Sequence, residues 1–140
     1  MKIVQTFWSG NTSNITKDAF GWYTPEYHLM SWALSCLQLR KFYDNVVLYT
    51  DEKGYDLLIN YLKLPYTQVI VNLDELNKKD SDLWALSKIH TYSKQDEPFL
   101  HVDGDVFIWE AFNKDLLKAN IIAQNKEIGT TDFYESMFDN

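Results

Sequence analysis

Two apolar runs on either side of an Asp-Gly-Asp constrain this chain more than any other feature: residues 99–109 read FLHVDGDVFIW. An apolar run of this length, opened by Pro98, reads as a strand buried on both faces. Two carboxylates at its end are costly to hold in a largely buried place unless a cation or hydrogen bonds compensate them. Gly104 has no Cβ, so the backbone can turn sharply there and let a ligand come close. Paired oxygen ligands suit Mg²⁺ or Mn²⁺, which bind through one or two carboxylates together with substrate phosphates. The same three residues also spell a polar β-turn that joins two strands and does no chemistry. Paired acids set in a cleft favour the metal reading over the turn.

With 140 residues, 46% of them hydrophobic and 16% aromatic, the chain reads as one globular domain with a sizeable core. Its net charge of -7 excludes a basic surface for nucleic acid or anionic membrane. Any phosphate site must therefore obtain its positive charge locally, and a bound metal supplies that. The single cysteine, Cys36, excludes an internal disulfide and falls on a helix as a packing residue. No signal-like start and no apolar run long enough to cross a bilayer is present, so the expected location is the cytoplasm.

Residues 2–7 form the expected first strand, running into the loop formers Trp8-Ser9-Gly10-Asn11-Thr12-Ser13-Asn14. A strand that feeds a polar loop is a common opening for α/β nucleotide-binding domains. Thr24-Pro25-Glu26 starts a helix, with a capping hydroxyl, Pro at its first position and an acid in its first turn. Met30, Ala33, Leu34 and Leu37 follow at helical spacing and are expected to face the sheet, and His28 to lie on the surface. Residues 46–50 give a second buried strand. Asp51 just after it is placed to hydrogen-bond a ribose hydroxyl, to cap the helix over residues 55–62, or to do both.

Residues 67–71 read as a third strand and 72–80 as a polar connection. Ser81-Asp82 caps a helix reaching about Lys94, with Leu83, Leu86, Ile89 and His90 as its buried stripe. His90 and His101 read as packing or hydrogen-bonded histidines. Beyond the acidic motif, residues 113–118 suggest a turn or two of helix and 121–124 a short strand, while 125–140 show no period. Strand and helix alternate three times before a strand that ends in acids. That order gives an α/β fold with a mainly parallel central sheet flanked by helices. Right-handed crossovers then bring Thr6, Asp51 and Asp103 to one edge.

In this setting Asp103-Gly104-Asp105 resembles the DxD motif of nucleotide-sugar-dependent glycosyltransferases of the GT-A fold. The resemblance covers residues 1 to about 125 as a pattern of elements and 98–110 as a motif. It implies a Rossmann-like nucleotide-diphospho-sugar transferase domain over residues 1–140. In it, Asp103 and Asp105 hold Mn²⁺ or Mg²⁺ on the diphosphate of a UDP- or GDP-linked sugar. It implies that Thr6, Phe7, Trp8 and Asp51 contact the nucleoside, although Phe7 and Trp8 also read simply as core and rim aromatics. It sets Lys88, on the helix before the motif, against phosphate or sugar, with Gly104 beside it. The residue alone reads more readily as a solvated helix lysine, and the closest families carry Arg there, whose bidentate fork Lys lacks. The acceptor is an unidentified saccharide, lipid or protein.

The departure from that family is length: only about a quarter of the chain follows the motif, so the acceptor-binding part is expected to be absent. Two rivals follow. One is a non-catalytic nucleotide-binding or interaction domain derived from a GT-A fold. The other is a phosphatase of the haloacid dehalogenase type, with Asp103 as nucleophile and Asp105 as acid/base. In that class, however, the motif opens the domain, and Phe107 stands where a small or hydroxylated residue is expected.

Overall fold

The computed structural model describes residues 1–77 and 85–124. The expected cap at Ser81 and Asp82, the stripe residue Leu83 and the segment 125–140 lie outside the described residues. Strands β1 (Lys2–Phe7), β2 (Val46–Thr50), β3 (Gln68–Val71) and β4 (Phe99–His101) alternate with helices α1 (Pro25–Phe42), α2 (Glu52–Tyr55) and α3 (Leu86–Ser93). A wider π-helical turn, Asp56–Tyr61, continues α2, and single 3₁₀ turns lie at Leu73–Leu76 and Leu116–Lys118.

The strands form one all-parallel sheet in the order β3-β2-β1-β4, which is the α/β, Rossmann-like architecture that the alternation predicts. β2 is buried along its whole length, as a strand covered on both faces must be. Ile3, Leu39, Val46, Val102 and Ile108 form one buried cluster, and Val4, Val47 and Tyr49 another. Among the described residues no helix is long and apolar enough to cross a membrane.

Strand order fixes where a ligand can sit. The chain steps from β1 to β2 to β3 in one direction, then returns to lay β4 on the other side of β1. The crevice between the carboxyl ends of β1 and β4 is thus the topological switch point, the usual ligand position in open α/β sheets.

Two helices present other faces than periodicity predicts. α1 starts at Pro25 as expected, but the Thr24 side chain makes no cap hydrogen bond to the helix. It buries His28, Ser31, Trp32, Ser35, Cys36 and Leu39, while Met30, Leu34 and Leu37 face outward. Small polar residues lie inward because the interior meets their hydrogen bonds: Ser31 Oγ donates to His28 O at 2.8 Å, and Ser35 reaches the loop after β4. In α3 the inward residues are Ser87 and Thr91, and Ile89 is exposed.

The run after the acidic motif is not a strand. Residues 106–109 carry no regular structure, and Ile108 with Val106 packs in the cluster around Leu39 and Val46. Their apolar character comes from packing beneath α1 and not from sheet pairing. The strand expected at 121–124 is likewise not formed.

A Cβ on Gly54 would collide with Thr50 Oγ1, the Phe7 ring and Asp51 Oδ1, so α2 docks closely on the ends of β1 and β2 only because that Cβ is missing. Gly54→Ala is expected to lower stability by about 1–3 kcal/mol, the range for overpacking a close-packed site. Denaturant unfolding checks this, and an unchanged midpoint would contradict the packing described.

Candidate functional site

β4 ends at His101 and the chain reverses almost at once. Val106 N–H donates to Asp103 O at 3.1 Å, closing a four-residue turn across Gly104 and Asp105. A buried polar network holds this turn from beneath. Gln5, 0% exposed in the middle of β1, donates through Nε2 to Ser35 Oγ at 3.0 Å and to Asp103 O at 3.3 Å. Ser35 Oγ donates to Val106 O at 2.8 Å, and the Tyr66 hydroxyl donates to Gln5 Oε1 at 2.8 Å. Burial, reinforced by nearby Cys36, raises the Tyr66 hydroxyl well above its ordinary value, so it stays protonated and remains a donor. Gly104 is required by packing: a Cβ there would enter the Trp32 indole. The space opened by this glycine is filled by Trp32, whereas the sequence reading gave it to a ligand.

Asp103 is charge-compensated within the protein. Lys88 Nζ, reaching over from α3, lies 2.8 Å from Asp103 Oδ1 and 2.9 Å from Oδ2. His101 Nδ1 stands 3.5 Å from Asp103 Oδ1, and its Nε2 lies 3.1 Å from Thr6 Oγ1. Burial pushes the His101 imidazole down to about 4, with Asp103 opposing and Lys88 reinforcing the shift, so the ring is neutral at pH 7. These partners assign the tautomer, with Nδ1–H toward the carboxylate and Nε2 accepting from the threonine hydroxyl. Asp105, next along the turn, is exposed.

The turn forms one wall of a cleft of about 230 Å³. Thr6, Phe7 and Trp8 reach it from the end of β1, Lys88 from α3, and Asp103, Gly104 and Asp105 from the turn after β4. These seven residues from the sequence reading therefore meet in one place. Phe7 is both wall and core, being 4% exposed, and Trp8 is fixed by its Nε1–H donating to Asn77 Oδ1 at 3.0 Å. Trp8, Phe20 and Ser87 also border an adjoining space of about 430 Å³ over the loop at Ser9 and Asn11. Together the two spaces reach the size of small-molecule sites, roughly 300–1,000 Å³.

Asp51 does not join them. It is 0% exposed, Oδ1 accepts from Gly54 N–H at 2.9 Å as the N-cap of α2, and Oδ2 accepts from Ser9 N–H at 3.1 Å and from the Ser9 hydroxyl. The capping role expected of Asp51 is the one its contacts show, and the same carboxylate pins the start of the first loop. It lies at the end of β2, one strand away from the switch point.

Sequence reasoning missed the aromatic wall: Phe20, Trp22, His28 and Trp32 all line the cleft. Phe20 has φ 45°, a left-handed backbone that bulky residues rarely adopt, held by its N–H donating to Asp18 Oδ1 at 2.9 Å. Its ring lies 4.5 Å from the His28 ring, which also stacks on Phe7 at 5.8 Å. His28, expected on the surface, is 3% exposed, and its Nδ1 is buried without a hydrogen-bond partner among the described residues. The available sequence signal was Phe20-Gly21-Trp22, two aromatics flanking a glycine with φ 85° just before α1.

Among the described residues no three His, Cys, Asp or Glu side chains converge as a metal cage. The two acids of the turn stand apart in their surroundings: both oxygens of Asp103 lie against Lys88, and Asp105 is exposed.

A family model described as "Family of unknown function (DUF6734)" matches residues 1–140, and the chain belongs to that family. Comparison with curated proteins and with solved structures gave no match.

Burial pushes the His28 imidazole down to about 4 from its ordinary 6.5, with Asp18 opposing. Below pH 6.5 the unfolded chain takes up a proton that the folded chain refuses until about pH 4. The stability due to neutral His28 is therefore complete above that window and falls as pH drops through it, by up to about 1.4 kcal/mol per pH unit. His28→Phe should lose less stability than the wild type between pH 6.5 and 4.5. Parallel unfolding free energies across that range would contradict this.

Proposed function

We propose that this chain binds a nucleoside diphosphate sugar in the β1–β4 crevice and acts as a metal-dependent glycosyltransferase. The observation that supports this reading best is the placement of the Asp103-Gly104-Asp105 turn at the switch point, facing Lys88 and an aromatic wall in one cleft. An acidic pair, a lysine and stacking rings together suit a ligand with a diphosphate centre and a ring at each end.

Asp103 and Asp105 would hold Mn²⁺ or Mg²⁺, whose chemistry here is to neutralise charge on the departing nucleoside diphosphate. Lys88 would divide its ammonium between Asp103 and a phosphate oxygen, supplying positive charge at a point where a chain of net charge -7 needs it. His101, neutral and bonded to Thr6, orients the Asp103 carboxylate without adding charge. The loop from Trp8 would lie along the nucleoside, with Asp51 holding that loop through Ser9. The phosphatase alternative is disfavoured by topology. In it the acidic pair belongs to the strand that opens the domain, whereas here it follows β4, at the sheet edge and after three crossovers.

Calorimetric titration of UDP and GDP, with and without Mn²⁺, tests the reading on the wild type and on Asp103→Asn/Asp105→Asn. Binding by the wild type is expected to need Mn²⁺ and to weaken at least about tenfold in the double variant, since charge-assisted contacts to ionised groups are about twice as strong as neutral ones. A folded wild type that binds neither nucleotide, or a double variant that binds as the wild type does, would overturn it.

A further inference from the structure

We propose that the outward face of α1 is a self-association surface, on which a second copy of this chain lays its own α1 antiparallel about a two-fold axis. The inference is independent of the nucleotide-sugar reading. His28, Ser31 and Trp32 turn one side of α1 to the cleft, and the association uses the other side.

The first observation is which residues α1 leaves in solvent. Along Pro25–Phe42 the exposed positions are Glu26, Tyr27, Met30, Leu34, Leu37 and Lys41. A helix that covers a core ordinarily turns charged and polar side chains to water. Here Tyr27, Met30, Leu34 and Leu37 stand in one line, with Met30 63% and Leu37 54% exposed. No Asp, Glu, Lys or Arg lies between Glu26 and Arg40. From Tyr27 to Lys41 the spacing alternates three and four residues, which is the period of a seam between paired helices.

Size agrees with an interface. Tyr23, 91% exposed just before the helix, extends the line. The line then exposes on the order of 500 Å² of apolar surface, taking roughly 150–250 Å² for each large side chain when fully exposed. Two copies would bury about 1,000 Å² between them, the lower limit of a specific interface.

The second observation says what covers the line, because its charges are self-complementary. Glu26 in the first turn and Lys41 in the last close it with opposite signs. The midpoint between them falls at Ala33 and Leu34, and so does the midpoint between Met30 and Leu37. A two-fold axis at that point sets each Glu26 beside the second copy's Lys41 and each Met30 beside the second copy's Leu37. The two Leu34 side chains then meet near the axis. At a rise of 1.5 Å per residue the charges stand about 11 Å to either side, so helices packed about 8–10 Å apart carry an attractive pair at both ends. Opposite ends of the two helix dipoles also meet. Arg40, the other cation of the last turn, is held in its own chain by donating to Pro65 O, Tyr43 O and Asp44 O. The cation on the line is therefore Lys41. A lipid surface fits less well, since helices that lie on membranes carry Lys and Arg along their polar face, whereas the other side of α1 is packed inside the protein.

Sedimentation velocity of the full chain over a wide concentration range tests this. The wild type should form a reversible dimer with a dissociation constant of about 1–100 μM, as suits an interface of the smallest size class. Leu37→Asp should weaken it at least about tenfold, since the substitution enters the interface twice. At concentrations where both proteins are monomeric, Leu37→Asp should unfold at the same temperature as the wild type, because the residue is exposed. Glu26→Lys and Lys41→Glu should each weaken the dimer about threefold to tenfold alone. An equimolar mixture of those two variants should recover association, because it restores an opposite-sign pair at both ends.

A wild type that stays monomeric would overturn the inference. If that monomer sedimented with vesicles of phosphatidylcholine and phosphatidylserine, the line would be a membrane contact. If Leu37→Asp lowered its unfolding temperature, the line would be covered within its own chain. A Leu37→Asp variant that dimerises as the wild type does, or a charge-swapped mixture that associates no better than its components, would also overturn it.

Discussion

The acidic turn stands or falls with a buried amide. Gln5 has no solvent at all, and each polar atom of its side chain is matched: Nε2 by Ser35 and the Asp103 carbonyl, Oε1 by the Tyr66 hydroxyl. Fully satisfied polar networks in a low-dielectric interior are stiff, because breaking one bond strands a buried group. Here the network ties β1, α1 and the segment before β3 to the backbone of the turn. The two carboxylates therefore project from a backbone fixed at two carbonyls, Asp103 and Val106, rather than from a loose loop.

Electrostatics follow from that anchoring. A chain with net charge -7 places a lysine within 2.9 Å of both oxygens of Asp103 and keeps the neighbouring His101 neutral by burial. Lys88 thus offsets the carboxylate locally, and Asp105 two residues on is exposed. Asp51, an equally acidic residue at the neighbouring strand end, is used inside the protein to join the first loop to the start of α2. Two carboxylates at parallel strand ends have different partners: Asp51 accepts from backbone N–H groups in the interior, and Asp103 pairs with Lys88 at the cleft.

The parallel architecture was legible because β2, read as VVLYT, is apolar from end to end, and because helix signals separate the strands. The acidic turn, Lys88 and the end of β1 were legible because motif and topology agree on them. The face of α1 was not legible. Periodicity assigns the interior to Met30, Leu34 and Leu37, but the interior took Ser35, which bonds to the turn, Ser31, which bonds within the helix, and His28, which packs between Phe7 and Phe20. The apolar run after the turn misled in the same way, since burial under a helix and burial in a sheet give the same composition. The aromatic wall was hidden by distance along the chain: residues 7, 20, 22 and 32 share no period, and the left-handed backbone at Phe20 leaves no mark in the sequence.

The most direct measurement of the central claim is the electron paramagnetic resonance spectrum of Mn²⁺ titrated with the protein, first alone and then with UDP or GDP. Two carboxylates, one of them already paired with Lys88, predict weak capture of Mn²⁺ by the protein alone. When one of the diphosphates is added, the free-ion signal should drop well beyond what nucleotide alone produces. A free-ion signal that the folded protein leaves unchanged with both nucleotides would contradict a metal–diphosphate site at Asp103 and Asp105.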